Sequence, residues 1–249
     1  MQDFMNLCRW PKLAEPYDKA LKDAVAYILS NYEVLGILVT GTIVRGNPSP
    51  NSDLDICVLH SSVTRQRVQK FFHGVPTEIF VNPPDKIEEY FQEERSRGRP
   101  CTAHMWATGF VILGSDPVVE QIRQRAEKML TQPPNPKPQD LIAKRYAAAD
   151  AYENAQDIQG TDPAGALMML NLAVHQMLQY VFWEHNRYLP RDKDLLAELE
   201  PLDDELAALA RKYFTVADTA QCFTLAEQIA DLTIGVCGFF EWESPLEDA

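Results

Sequence analysis

Gly36–His60, GILVTGTIVRGNPSPNSDLDICVLH, is the stretch whose reading decides the fold. It opens as a short, branched apolar run that stops at Gly41-Thr42, the signature of a buried strand and its end. Residues after such a strand end can begin a short helix, and the amides of that turn, with the Thr42 hydroxyl, suit phosphate oxygens. Gly41 lacks a Cβ, so a ligand can approach the backbone closely there. Ten residues after Thr42 the chain enters a second strand with Asp53 and Asp55, two positions apart. The two-residue period of a strand sends both carboxylates to one face while Leu54, Ile56 and Val58 fill the other. Carboxylates this close repel when ionised, and hard oxygen ligands of this kind suit Mg2+, with water and substrate phosphates completing the shell.

Outward from this stretch, Val34–Thr40, Leu54–His60, Val75–Asn82 and Phe110–Leu113 are predicted strands, each brief, branched or aromatic, and bounded by turn formers. Glu78 sits inside the otherwise apolar run Val75–Asn82, where an ionised side chain is costly unless something pairs with it. On a strand beside the Asp pair it can serve as third metal ligand or as proton acceptor. Apolar residues at helical spacing from Tyr17 to Leu29 predict an amphipathic helix ending near Asn31. Further helices are expected over Val63–Phe72, Asp85–Arg97 and Asp116–Leu130.

Thr131–Gln139 carries four prolines in nine residues, which favours a stiff extended linker. The expected division is a first domain over 1–132, a proline-rich linker over 133–139 and a second domain over 140–249. No convincing strand follows the linker. Leu141–Ile158, Pro163–Arg187, Lys193–Leu199, Asp203–Tyr213 and Thr219–Phe240 all show three-to-four periodicity and predict a helical bundle. The expected class is α+β: a mixed sheet with flanking helices, then a bundle.

Gly41-Thr42, ten residues, Asp53-Leu54-Asp55 and the strand-borne Glu78 together resemble the DNA polymerase beta-like nucleotidyltransferase superfamily, over about residues 34–82. That family's pattern is usually written Gly-Ser; Thr42 keeps the hydroxyl and adds a methyl group. With a helical domain after a proline linker, the layout looks most like the small-molecule branch that includes aminoglycoside nucleotidyltransferases. The resemblance implies that Asp53 and Asp55 bind metal, that Gly41 and Thr42 hold triphosphate, and that Glu78 ligates metal or deprotonates the acceptor. It also implies two Mg2+ ions, a nucleoside triphosphate such as ATP as co-substrate, and transfer of a nucleoside monophosphate to a hydroxyl with release of pyrophosphate.

Charge separates the halves. Residues 1–139 hold 16 Lys/Arg and 16 Asp/Glu, while residues 140–249 hold 7 and 20, so the whole net charge of −13 lies in the second half. A surface of that sign repels a phosphate backbone and attracts cationic small molecules, so no nucleic-acid partner is expected and a cationic hydroxyl acceptor is. No apolar run approaches the roughly 18 to 20 residues of a membrane helix, and the start has acids and a proline where a signal peptide is apolar. Five cysteines without metal-type spacing read as reduced thiols, and the expectation is a soluble, cytoplasmic protein without a membrane partner.

Several residues keep two readings. Arg45 is equally a phosphate contact and a solvent-facing loop residue, and Ser52 either orients Asp53 or bounds the strand. Lys193, in Leu189–Asp194, is a base ahead of a helix: either it is solvated, or it reaches an interdomain cleft to neutralise triphosphate, as the resemblance favours. Asp150, Glu153 and Asp157 share a helix face and are either solvated or line an acceptor pocket, with Glu153 the alternative general base to Glu78. His104 and His175, each alone on a mostly apolar stretch, read as core histidines. Tyr180, Phe182, Trp183, Phe239, Phe240 and Trp242 read as bundle core or as the contact of a homodimer. Two other functions remain on the same fold: modification of a protein, as in minimal nucleotidyltransferases paired with helical partners, and a non-catalytic nucleotide-binding module.

Overall fold

The computed structural model describes residues 2–114, 116–244 and 246, with side chains from residue 5 onward. The elements are, in chain order, α1 (Gln2–Leu7), α2 (Tyr17–Asn31), β1 (Val34–Thr40), β2 (Leu54–His60), β3 (Gln66–Phe72), β4 (Val75–Asn82), α3 (Pro84–Ser96), α4 (Cys101–Thr108), β5 (Phe110–Leu113) and α5 (Pro117–Leu130), then α6 (Pro138–Ile158), α7 (Pro163–Glu184), a 3-10 turn (Asp192–Asp194), α8 (Leu195–Leu199), α9 (Asp204–Tyr213) and α10 (Thr219–Thr233). They fall into two compact units, residues 1–95 with 100–132, and residues 96–99 with 133–249. Ser96–Arg99, within the first domain expected from sequence, falls in the second unit.

In the first unit five strands lie in the order β3-β4-β2-β1-β5. β1 pairs antiparallel with β2 and β5, β4 antiparallel with β3, and β2 parallel with β4, so the sheet is mixed. Alternation along the central strands gives two cores. Ile37, Val39, Ile56, Val58, Ile79 and Val81 face the apolar stripe of α2, where Leu21, Val25 and Ile28 are buried. Leu38, Cys57 and Leu59 face Ile87, Phe91, Ala103, Trp106, Val119 and Ile122 from α3, α4 and α5. The four strands predicted from sequence form with the predicted bounds.

The expected helix over Val63–Phe72 does not form: Gln66–Phe72 is the edge strand β3, mostly exposed. His73 and Gly74, with φ of 49° and 76°, make a two-residue turn, and β3 folds back on β4 with Phe72 opposite Val75. Cross-strand hydrogen bonds override the weak helical spacing of this segment. Cys101–Thr108, assigned no element from sequence, is helical.

The second unit is helical among its described residues. Asp162, Asp203 and Asp218 each accept a backbone N–H at the start of α7, α9 and α10, satisfying donors that have no partner inside the helix. α6 begins at Pro138, inside the stretch expected to be linker, because proline is tolerated in the first turn. α10 ends at Thr233, short of the predicted Phe240, with Gly235 at φ 66° just beyond it.

Candidate active site

β1 ends at Thr40, which pairs with Asp55 on β2, and Asp55 pairs in turn with Glu78 on the parallel strand β4. This register sets Asp55 and Glu78 side by side on the sheet face that carries Cys57 and Phe80 further along. Asp53 enters just before β2. Asp53, Asp55 and Glu78 each offer one carboxylate oxygen, and these atoms lie within 4.8 Å of one another. All three residues are half-buried.

Crowding like charges in a partly dry place has a visible cost. Burial, with the Asp53 and Glu78 charges adding to it, pushes the Asp55 carboxyl up to about 6, against an opposing pull from Arg45 and Arg67. Behind it, Cys57 is fully buried, and burial together with the Asp55 charge raises its thiol, so it is no nucleophile at neutral pH.

Gly41 closes the site from β1. Its φ is 98°, and a Cβ there would stand 2.8 Å from Asp55 Oδ2. Glycine is therefore required twice at this position, for the backbone angle and for the carboxylate. The next residues form hydrogen-bonded turns rather than the short helix expected, with Arg45 N–H donating to Gly41 O at 3.3 Å and Asn47 N–H to Thr42 O at 3.0 Å. Ile43, 3% exposed, anchors them in the core. Thr42 Oγ1 and Ser52 Oγ are 2.9 Å apart, and Ser52 Oγ also accepts from Ser49 N–H at 2.8 Å. Buried Ser52 thus ties the two ends of the loop together, a role beyond either one considered from sequence. Arg45 is exposed, yet its charge is felt at Asp55.

Two residues were missed because their segment was read as a helix. Gln69 pairs with Glu78 across the β3–β4 ladder, and Arg67 pairs with Phe80. Arg67 Nε donates to Glu78 Oε1 at 2.6 Å, its Nη2 pairs with the same oxygen, and Gln69 Nε2 donates to it at 2.7 Å. The Arg67 guanidinium also lies over the Phe80 ring, 5.0 Å from its centroid. The signal that would have found them is His73-Gly74, a two-residue turn next to a strand already recognised.

The other candidates lie in the second unit. Lys193 is exposed on the 3-10 turn, where Arg191 Nε donates to Asp194 at 2.5 Å and Arg99 pairs with Asp192. Asp150 and Asp157 are exposed, Glu153 is half-buried, and Asp150 accepts from Asn154 Nδ2 at 3.1 Å. Neither histidine is a core residue. His104 is exposed, and His175 is half-exposed with Nε2 3.3 Å from Asp192 Oδ1. Tyr180, Phe182 and Trp183 are buried and Phe240 packs against the same core, while Phe239 is 78% and Trp242 36% exposed.

Hard oxygen donors converging within 4.8 Å fit a divalent cation of the Mg2+ type, and the raised Asp55 carboxyl marks a place where positive charge is wanted. Residues 21–102 match the family model described as nucleotidyltransferase domain. A nucleotidyltransferase-like protein from Exiguobacterium sibiricum 255-15, in its crystal structure, superposes with a TM-score of 0.52 at 9% identity, covering 87% of this chain and 76% of its own. No curated protein matches the chain significantly. The α+β fold, the nucleotidyltransferase domain matched over residues 21–102 and the acid cluster together support a nucleotidyltransferase. The α6-to-α10 region follows that domain as a helical unit, and among the described residues no helix is long and apolar enough to cross a membrane.

Proposed function

We propose that the chain transfers a nucleoside monophosphate from a nucleoside triphosphate, ATP being the first candidate, to a hydroxyl of a cationic small molecule of the aminoglycoside type, releasing pyrophosphate. The observation that carries the reading is the convergence of Asp53, Asp55 and Glu78 beside the Gly41 turn. Two Mg2+ ions, when bound, would supply Lewis-acid stabilisation of the phosphates and a lowered pKa at the acceptor hydroxyl. Asp53 and Asp55 hold the cations. Glu78 adds one oxygen to that set, or takes the acceptor proton at that oxygen. The turn after Gly41, with the Thr42 hydroxyl fixed by Ser52, presents donors to the triphosphate, and exposed Arg45 adds charge beside it. Lys193 is the further triphosphate contact proposed. Its support is an ammonium without an ion pair among the described residues, on a turn whose other charges are paired off.

The acidic second half, 20 acids against 7 bases, supports a cationic acceptor. The test is pyrophosphate release with Mg2+, each of the four ribonucleoside triphosphates and a panel of aminoglycosides and polyols. Acceptor-dependent release is expected, with a loss of about a thousandfold or more in Asp53→Asn at unchanged circular dichroism. Wild-type turnover in that variant overturns the assignment.

A further inference from the structure

Glu78 is the acid whose surroundings the proposed chemistry does not explain. A simple metal ligand needs its oxygens available, yet three donors from two side chains fill one of them. Arg67 Nε, Arg67 Nη2 and Gln69 Nε2 all go to Oε1, and among the described residues no donor reaches Oε2. The asymmetry is built by strand register. Gln69 stands directly opposite Glu78, and Arg67 opposite Phe80, two residues further along the same face. The Arg67 side chain therefore crosses the ladder diagonally, with Phe80 beneath its guanidinium. The Glu78 side chain is only 13% exposed while that of Arg67 is 63% exposed, so the fork holds the carboxylate from the solvent side.

We infer that Arg67 and Gln69 are positioning residues that hold Glu78 by Oε1 and leave Oε2 alone to face the cation, making Glu78 a one-oxygen ligand set in place before metal arrives. This rests on the reading of Asp53, Asp55 and Glu78 as a metal centre. Its physical content is orientation. A free glutamate loses rotamer entropy when it ligates, and a pre-held one has already lost it. The guanidinium also offsets the repulsion of three clustered acids while the cation is absent. Lysine cannot replace it, since a point charge supplies neither the fork nor the flat face over Phe80.

The experiment is Mn2+ binding to the full chain without nucleotide, read by electron paramagnetic resonance of free Mn2+. Arg67→Met is expected to weaken binding about 10- to 100-fold, the usual cost of losing a hydrogen-bond partner of a metal ligand. Arg67→Lys is expected to weaken it nearly as much, and Gln69→Ala several-fold. Arg67 is exposed on an edge strand, and thermal unfolding midpoints close to wild type will show that the variants fold. Mn2+ binding in Arg67→Met as tight as wild type overturns the inference, because the guanidinium then does nothing for the ligand, and tighter binding overturns it too, because the guanidinium then competes with the cation. Full binding in Arg67→Lys overturns it too, since charge would suffice. Asp53→Asn separates the two levels: binding lost there but intact in Arg67→Met rejects the positioning role alone, and binding intact in Asp53→Asn rejects the metal centre itself.

Discussion

The two units carry acid in different ways. From residue 140 onward the chain has 20 acids to 7 bases, and before it 16 to 16. Yet the acidic half disperses its charge: Asp162, Asp203 and Asp218 cap helices, Asp194 pairs with Arg191, and Asp192 is held below the usual carboxylate range by the hydrogen bond and charge of Arg99. The balanced half also caps and pairs, with Asp116 at the start of α5 and Glu88 on Arg125, but it brings three further acids together at one end of a sheet and pushes Asp55 up to about 6. Chemistry follows convergence, and net charge follows only composition. A side chain that raises the energy of the folded state where it stands is better evidence of a site than many that are comfortable.

The largest effect expected from this contrast is at Asp55. Asp55→Asn should lose turnover about a thousandfold or more while the metal-free protein becomes more stable, by about 1–2 kcal/mol after allowance for solvent screening. The sign follows from the shift: a carboxyl that titrates at about 6 when folded and 3.8 when unfolded binds its proton more tightly in the folded state. Its contribution to stability is therefore greatest below 3.8 and is lost as pH rises toward 6. Unfolding midpoints from pH 4 to 8 should show this slope in wild type and a flatter one in Asp55→Asn. Mn2+ affinity should fall as pH drops below about 6. A variant that is inactive and less stable would break the comparison, since Asp55 would then be supporting the fold.

A smaller effect is expected at Gly41. A Cβ there meets Asp55 Oδ2 at 2.8 Å on a backbone at φ 98°, so Gly41→Ala should cost about 1–3 kcal/mol of stability. Turnover should drop about a hundredfold by displacement of a ligand. Chemical denaturation and steady-state kinetics measure the two together. The smallest effect belongs to the helical unit. Arg99→Met removes the pair with Asp192, whose side chains are 34% and 58% exposed. It should cost about 1 kcal/mol or less and leave Mn2+ affinity unchanged. A loss of Mn2+ binding in that variant would mean that the two acid populations are coupled.

The candidate site was legible in the sequence where local periodicity and chemistry agree. Asp53 and Asp55 share a face by the two-residue period, Glu78 is an acid in an apolar strand, and Gly41 ends a buried run, so none of these needs tertiary information. Arg67 and Gln69 were illegible for the opposite reason. Their strand is exposed, with only Val68 and Phe72 partly covered, and it exists through pairing with β4, which no pattern internal to Gln66–Phe72 encodes. From sequence Ser52 either orients Asp53 or bounds the strand, whereas its side chain bonds to Thr42, ten residues away and adjacent only once β1 and β2 pair. The histidines misled because an apolar stretch on a helix still has an outer face, and His104 and His175 lie on it at least in part.

The one-to-one register of β2 and β4, Leu54 with Thr77 through Leu59 with Asn82, bears on how this chain can vary by insertion and deletion. Removing a single codon within 54–60 or 75–82 shifts one strand by a residue and turns its half of the acid cluster through the sheet into the opposite core. The connection over 61–65 is exposed throughout and joins two strands without fixing their register, so length changes there leave the acids facing each other. Geometry thus confines the length changes this strand pair tolerates to the connections, and keeps the spacing of the cluster fixed.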